Sequence, residues 1–244
     1  MQDLSREING CMTLRPNNRP LNFFTHGCFS GAGVTDADAV RLALLTGTPT
    51  VTIDWRSTQG SWYTLPFRYV VDYYSALAQE PSFEKVLDES LASLDPSHVS
   101  MVSFSRGAAF NAAYMKHRYS EGLKPINGHV MAHADLSTSA FRDRKNGENP
   151  ITAASDATVV LGNRHDKVLF FSRWRIFGDR VGDAYQSDID TVNLAGGRYV
   201  IDDVQRRGGN LNHYVNYNLI ARLLSDLSDP QKKPAISSSS VRRY

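Results

Sequence analysis

Short apolar stretches alternate with longer amphipathic stretches along most of the chain. The apolar stretches are rich in β-branched and aromatic residues, which predicts buried strands at 21–25, 50–54, 99–104, 129–133, 158–161 and 198–202. The amphipathic stretches predict helices at about 36–46, 67–79, 82–94, 106–119 and 214–227. Continuous apolar strands that alternate with helices are typical of a mostly parallel sheet covered on both faces, so the predicted class is α/β.

Length and composition indicate a single folded unit. The chain has 244 residues, of which 41% are hydrophobic and 21% charged, and these values exclude a disordered or collagen-like protein. We expect one domain over residues 1–228 and a flexible tail over 229–244, because the tail combines Lys-Lys-Pro, four serines and Arg-Arg. The connections 135–157 and 170–197 exceed the usual loop length, which makes them candidates for a lid.

Charge and targeting signals exclude several classes of partner. The 27 basic and 25 acidic residues are spread along the chain, so no overall field favours nucleic acid. No apolar run approaches the ~20 residues of a membrane-spanning helix, and the N-terminus lacks the pattern of a signal peptide. The two cysteines, Cys11 and Cys28, are too few for a disulfide scaffold. We therefore predict a cytoplasmic location at synthesis, while a signal-peptide-independent export route stays open.

Cofactor and metal motifs are absent from the sequence. It contains no G-x-G-x-x-G and no P-loop lysine, so no nucleotide cofactor is expected. His129 and His133 have the spacing of a zinc-binding helix, but the glutamate of H-E-x-x-H is missing and the segment is a predicted strand. No bound metal is expected there.

The segment Ser103-Phe104-Ser105-Arg106-Gly107 joins a predicted strand to a predicted helix rich in alanine. A serine on such a sharp turn needs small residues two positions before and after it, and Ser103 and Gly107 meet that need. This context favours a nucleophile elbow of the α/β-hydrolase fold with Ser105 as nucleophile. The alternative is that Ser105 only caps the helix that begins at Arg106.

A serine nucleophile requires a base and an orienting acid, which follow it in the order acid, then histidine, in this fold. His213 follows the last predicted strand in a glycine-rich loop and is the candidate base; the alternative is a surface histidine at the start of the last helix. Asp166 follows the strand at 158–161 and is the candidate acid. Asp135, after the preceding strand, is its rival, unless it only caps the segment at 137–139.

Backbone N–H groups must stabilise the oxyanion that develops in the reaction. We expect one donor to be the N–H of Arg106, which follows the nucleophile. The other is expected in the loop after the first strand, where His26-Gly27 allows a sharp turn and the N–H of Cys28 comes next, with Phe29 as second choice. A role for Cys28 as nucleophile has no support from neighbouring residues, and a small buried thiol is commoner.

Several short motifs occur in an order that resembles the DUF900-type α/β-hydrolases. They are Thr25-His26-Gly27, Asp54-Trp55-Arg56-Ser57, the Ser105 elbow, Asn163-Arg164-His165-Asp166-Lys167-Val168-Leu169 and Arg180-Val181-Gly182. The resemblance covers residues 20–226 and implies an α/β-hydrolase fold with serine esterase or lipase activity. Arg56 departs from the proline of the family's W-P-S segment. The F-S-R-G-A elbow is similar instead to that of bacterial type VI phospholipase effectors.

Two classes of function follow. The first is a serine hydrolase, with Ser105, His213 and Asp166 as its triad, that cleaves a carboxylic ester of a small molecule or lipid; thioesters and phospholipids would use the same chemistry. The second is a catalytically silent hydrolase fold that serves as an effector or binding module. The aromatic segment 62–74 could line an acyl pocket or touch a membrane surface, but packing on the sheet is the commoner role of such a helix.

Overall fold

The computed structural model describes residues 20–28, 30, 32–57, 65–175, 178–202, 212–229, 231–232 and 242–243. Seven strands are present in this part of the chain: β1 (Leu21–Thr25), β2 (Thr50–Ile53), β3 (Val99–Phe104), β4 (Gly128–Ala132), β5 (Thr158–Gly162), β6 (Arg198–Ile201) and β7 (Arg242–Arg243). The helices are α1 (Ala32–Thr46), α2 (Leu65–Leu91), α3 (Gly107–Ser120), α4 (Pro150–Ala153), α5 (Lys167–Arg175), α6 (Gln186–Leu194) and α7 (Tyr217–Ser228). Three short 3₁₀ turns lie at Pro96–His98, Thr138–Phe141 and Val181–Asp183.

All strands pair in parallel in one sheet of order β2-β1-β3-β4-β5-β6-β7. A parallel sheet places the carboxyl ends of all its strands at one edge, where the following loops meet. The register fixes this edge, since Thr25 of β1 lies opposite Ser103 of β3, and Phe104 lies opposite Ala132 of β4. The residues that follow β1, β3, β4, β5 and β6 are therefore brought together.

Alternate residues of the central strands enter two separate cores. Phe23, Met101 and Met131 face one core, which α2 and α3 cover with residues such as Phe83 and Phe110. The adjacent strand positions face the other core, in which Phe24, Val102 and Val130 pack with Leu42 of α1 and with one face of α7. Strands buried on both faces require continuous apolar sequence, which explains why the strand prediction succeeded.

The helix predictions were less complete. Helix α2 runs through Pro81, so the prediction of two helices at 67–79 and 82–94 was wrong. A proline inside a helix removes one hydrogen bond and normally costs ~3 kcal/mol. Ala76, Phe83, Leu87 and Leu91 are nevertheless buried on one face on both sides of it, so packing of both halves on the same core keeps the helix continuous.

The two long connections contain helices of their own. The segment 135–157 includes the turn at Thr138–Phe141 and α4, and 170–197 includes most of α5 together with α6. Phe141, Ile151 and Ile189 are fully buried, which shows that both segments contribute to the core rather than lying loosely on the surface. In the described ranges no helix has the length and hydropathy needed to cross a membrane.

Candidate active site

Ser105 occupies a strained turn between β3 and α3. It has a φ of 51°, in the left-handed region that non-glycine residues rarely adopt. Its N–H donates to the Ala132 carbonyl at 3.0 Å and its carbonyl accepts from the Asp135 N–H at 3.0 Å, so the last residue of β4 and the loop that follows hold it on both sides. Helix α3 begins at Gly107 with Arg106 in the N-cap position, so the alternative in which Ser105 caps the helix does not hold.

Two glycines allow the loop after β1 to contact this turn. A Cβ on Gly107 would lie 2.5 Å from the carbonyl oxygens of both Thr25 and His26. A Cβ on Gly27 would lie 2.8 Å from the Cβ of Ser105. Contacts below 3.0 Å are not tolerated, so glycine is required at both positions. The backbone that precedes Cys28 therefore runs directly against Ser105.

His213 and Asp166 are in hydrogen-bond contact, with 2.6 Å between His213 Nδ1 and Asp166 Oδ2. The ring of His213 lies against Phe104, the residue before Ser105, with 4.8 Å between ring centroids. Because Nδ1 contacts the carboxylate, it carries the proton, and Nε2 is left to act as a base. The alternative of a surface histidine that caps α7 does not hold, since Asn216 caps that helix.

Asp166 is a fully buried carboxylate that accepts four hydrogen bonds. Its Oδ1 accepts from the N–H groups of Val168 at 3.0 Å and Leu169 at 3.1 Å, in the first turn of α5. Its Oδ2 contacts Nδ1 of His213 and, at 2.8 Å, Nδ1 of His133. Burial alone would raise the pKa of this carboxyl, but the two histidines outweigh it and hold the pKa well below its ordinary value. The acid is therefore ionised at neutral pH.

Asp135, the rival acid, has different partners. Its Oδ2 lies 2.5 Å from Arg106 Nη2, and its Oδ1 lies 3.3 Å from Arg180 Nε and accepts a 2.6 Å hydrogen bond from Ser172. Burial raises the pKa of its carboxyl, while Arg180 and Ser172 oppose that shift. Ser137 itself caps the following 3₁₀ turn, so the predicted capping role of Asp135 is wrong. Its contacts are those of a structural ion pair.

No family model and no curated protein matches the chain. Solved structures do match. SOBER1 of Arabidopsis thaliana has a TM-score of 0.54 at 12% identity, and the match covers 88% of this chain and 99% of that one. EstE1, a thermophilic carboxylesterase from a metagenomic library, has a TM-score of 0.51 at 16% identity, with 88% of this chain and 82% of that one covered.

The chain has the α/β-hydrolase fold. This confirms the predicted fold class, including the parallel sheet with helices on both faces. Identities this low show the fold alone, and the resemblances to DUF900-type hydrolases and to type VI effectors stay predictions drawn from motifs.

The two candidate oxyanion donors each follow a residue that lies at the elbow. Arg106 directly follows Ser105, and half-buried Cys28 directly follows Gly27. The neighbouring His26 fixes this loop, because its ring stacks on Trp55 at 5.4 Å and its Nε2 lies 2.7 Å from Asp54 Oδ1. The Trp55 indole N–H also donates to the His26 carbonyl at 2.8 Å.

Phe29, the second choice for an oxyanion donor, lies outside the described residues, as does Cys11. Most of the aromatic segment 62–74 also lies outside the part of the chain whose side chains are described. Its prediction as an acyl pocket or membrane contact therefore stays a prediction.

His133, Asp166 and His213 offer three ligand atoms within 4.8 Å of one another, which is the donor set of a metal site. The two imidazole nitrogens contact the same carboxylate oxygen at hydrogen-bond distance. A proton on each Nδ1 accounts for both contacts. We therefore interpret the three residues as a hydrogen-bonded cluster.

His133 is the residue of this cluster that the sequence did not assign. It directly follows β4 and has a φ of 47°, which turns its ring toward the end of β5. The only sequence signal was its position immediately after a buried strand, at the edge where the elbow was predicted. His26, Asp54 and Trp55, which contact one another, gave a similar signal, since each lies within two residues of the end of β1 or β2.

Proposed function

We propose that the protein is a serine hydrolase that cleaves a carboxylic ester through an acyl-enzyme on Ser105. The observation that supports this most is the 2.6 Å contact of His213 with Asp166, at the sheet edge where Ser105 occupies a left-handed turn. The shared fold with the carboxylesterase EstE1 agrees with this class of reaction. The substrate would be an ester of a small molecule or lipid, and no cofactor is needed.

In the acylation step, Ser105 Oγ attacks the ester carbonyl carbon and its proton passes to Nε2 of His213. The carbonyl π electrons move to the oxygen, and the N–H groups of Cys28 and Arg106 stabilise the resulting oxyanion. When the tetrahedral intermediate collapses, the bond to the alkoxy oxygen breaks. The alkoxide leaves as the alcohol with the proton from His213.

In the deacylation step, a water molecule attacks the acyl carbon and gives its proton to the same nitrogen of His213. Collapse of the second intermediate releases the carboxylic acid and returns the proton to Ser105. Asp166 stays ionised throughout, keeps the Nδ1–H tautomer of His213 and stabilises the imidazolium of each intermediate. The ion-paired Asp135 takes no proton in this scheme.

A lipid ester is favoured as substrate class by one observation. Phe170 and Phe171 of α5 are about half exposed, and this helix begins directly after Asp166. Exposed aromatic side chains beside the acid would suit an acyl chain or a lipid surface. Thioesters and phospholipids pass through the same acyl intermediate, so a panel of esters that differ in chain length and head group would separate these substrates.

Ser105→Ala tests the nucleophile, and Ser103→Ala is its matched control. Ser103 lies two residues earlier, is fully buried, and its hydroxyl has no hydrogen-bond partner in the described structure. We expect Ser105→Ala to lose about 10⁴-fold or more in turnover of a p-nitrophenyl ester and to lose labelling by a fluorophosphonate probe. Ser103→Ala should keep both.

Substantial activity in folded Ser105→Ala would contradict the proposed mechanism. A wild-type protein that is folded but neither hydrolyses esters nor reacts with the probe would favour the second class, a silent hydrolase fold that acts by binding. Circular dichroism and thermal unfolding of each variant would establish that it is folded.

A further inference from the structure

Two imidazoles share one oxygen of the candidate acid. Nδ1 of His133 lies 2.8 Å from Oδ2 of Asp166, and Nδ1 of His213 lies 2.6 Å from the same atom. An ionised carboxylate only accepts hydrogen bonds, so both nitrogens carry protons. In a triad with a single histidine this oxygen would serve the base alone. Here its negative charge is divided between two rings.

The other side of the His133 ring faces a second buried carboxylate. Nε2 of His133 lies 3.8 Å from Oδ2 of Asp202, and both side chains are 1% exposed. Asn216 donates to the same oxygen of Asp202 at 3.1 Å and so holds it in place. Burial alone would lower the pKa of His133, but Asp166 and Asp202 outweigh it and raise the pKa to about 9. The ring is therefore an imidazolium at neutral pH.

The position of His133 is fixed by its backbone and by its neighbours. Its left-handed φ follows the end of β4, and its ring contacts Phe104, His213 and Tyr214 at centroid distances of 6.2, 5.8 and 5.7 Å. The contact with His213 is edge-on, at 87°. The ring cannot leave Asp166 without rebuilding the end of a central strand.

Other charged groups also act on the acid and the base. Asp135 interacts electrostatically with both, and it is held by Arg106 and Arg180. Asp183, which contacts Arg173, also acts on the acid, and burial raises its pKa to about 7. Asp183 therefore titrates near neutral pH, within the range over which the variants are compared. Wild type and variants all retain Asp183, so its titration contributes to every pH profile that is compared.

We propose that His133 is a positioning residue of the candidate triad, which fixes the Asp166 carboxylate and reduces the negative charge that it offers to His213. This rests on the proposed function of the triad and deepens it. A positive ring beside the acid opposes a second positive charge on His213. A variant that lacks the His133 charge is therefore expected to lose hydrolysis earlier than wild type as the pH falls.

His133→Asn tests this proposal with little disturbance of the backbone. Asparagine tolerates a left-handed φ and can still donate a hydrogen bond to Asp166, but it carries no charge. The titration midpoint of His213, followed by NMR, should move upward by about one pH unit. His129→Asn is the matched control, because His129 is equally buried four residues earlier and its ring nitrogens have no hydrogen-bond partner in the described structure. It should leave the midpoint unchanged.

The pH dependence of kcat/KM for p-nitrophenyl butyrate gives a second readout. The acidic limb should move in the same direction in His133→Asn, with KM nearly constant. A purely structural role would instead lower activity equally at every pH. An unchanged His213 midpoint in folded His133→Asn would overturn the proposal. If the variant does not fold, the protonation state of His133 in the wild-type protein, followed by NMR, provides the test. Two protonated ring nitrogens at pH 7 are expected, and a neutral ring would overturn the proposal.

The two readouts also separate this proposal from the proposed function. If the wild-type protein hydrolyses no ester, the hydrolase assignment fails. The NMR midpoint would still show whether His133 acts on His213 through Asp166.

Discussion

Two buried carboxylates lie at neighbouring strand ends of the same sheet edge and differ in their partners. Asp166 contacts two imidazoles and two backbone N–H groups, whereas Asp135 contacts two guanidinium groups and a serine hydroxyl. Imidazoles gain and lose protons near neutral pH, but guanidinium groups do not. Burial and charge are thus similar in the two clusters, and the chemical type of the partner separates the candidate acid from a structural ion pair.

The largest expected effect is on activity, in Asp166→Asn. The amide can no longer stabilise an imidazolium and favours the wrong tautomer of His213, so turnover should fall by about 10⁴-fold while the fold persists. Ester hydrolysis measured on protein of confirmed thermal stability checks this. Asp135→Asn should keep most of the wild-type activity when the activity is expressed per folded molecule. The reverse result would make Asp135 the acid.

The next effect is on stability, in Asp135→Asn. The change removes the charge that both Arg106 and Arg180 contact inside the protein, and breaking a buried pair in this way costs about 3–5 kcal/mol. Denaturant unfolding should show this loss. Arg180→Met with Asp135→Leu should recover only part of it, because this double change removes the Arg180 charge but leaves the buried charge of Arg106. Wild-type stability in Asp135→Asn would show that the ion pair contributes nothing.

His129 extends the comparison, because its buried ring nitrogens have no hydrogen-bond partner among the described residues. Burial lowers the pKa of His129 to about 3. The unfolded chain takes up a proton near pH 6.5 and the folded protein does not, so stability is present above that pH and is lost as the pH falls toward 3. Between pH 7 and pH 4 this amounts to about 3 kcal/mol. His129→Leu should remove this part of the acid sensitivity. Parallel pH profiles of unfolding for the two proteins would contradict the assignment.

The sequence predicted the fold where local pattern and burial agree. Strands β1 and β3 have their predicted bounds, because residues buried on both faces give continuous apolar runs. Helices α5 and α6 were missed. In these helices polar residues are buried against distant partners, as in the hydrogen bond of Ser172 to Asp135, so the apolar period of a helix is weak.

In the candidate site, too, features that follow from local motifs were predicted, and features that depend on distant contacts were not. The elbow at Ser105 and the order of Asp166 and His213 follow from local motifs and from the topology of the sheet. The second imidazole on Asp166 could not be predicted, because no motif assigns a histidine after β4 and because its contact depends on the left-handed backbone of His133. The arginine partners of Asp135 depend in the same way on how three loops fold together.

The left-handed conformation of Ser105 has a consequence for how the protein could be stabilised. A non-glycine residue in this region costs of the order of 1–3 kcal/mol relative to an unstrained backbone. Glycine at position 105 would relieve much of that strain and remove the hydroxyl. A screen that selects only for thermostability would therefore enrich inactive chains, so any directed evolution of this scaffold has to select for turnover and heat resistance together.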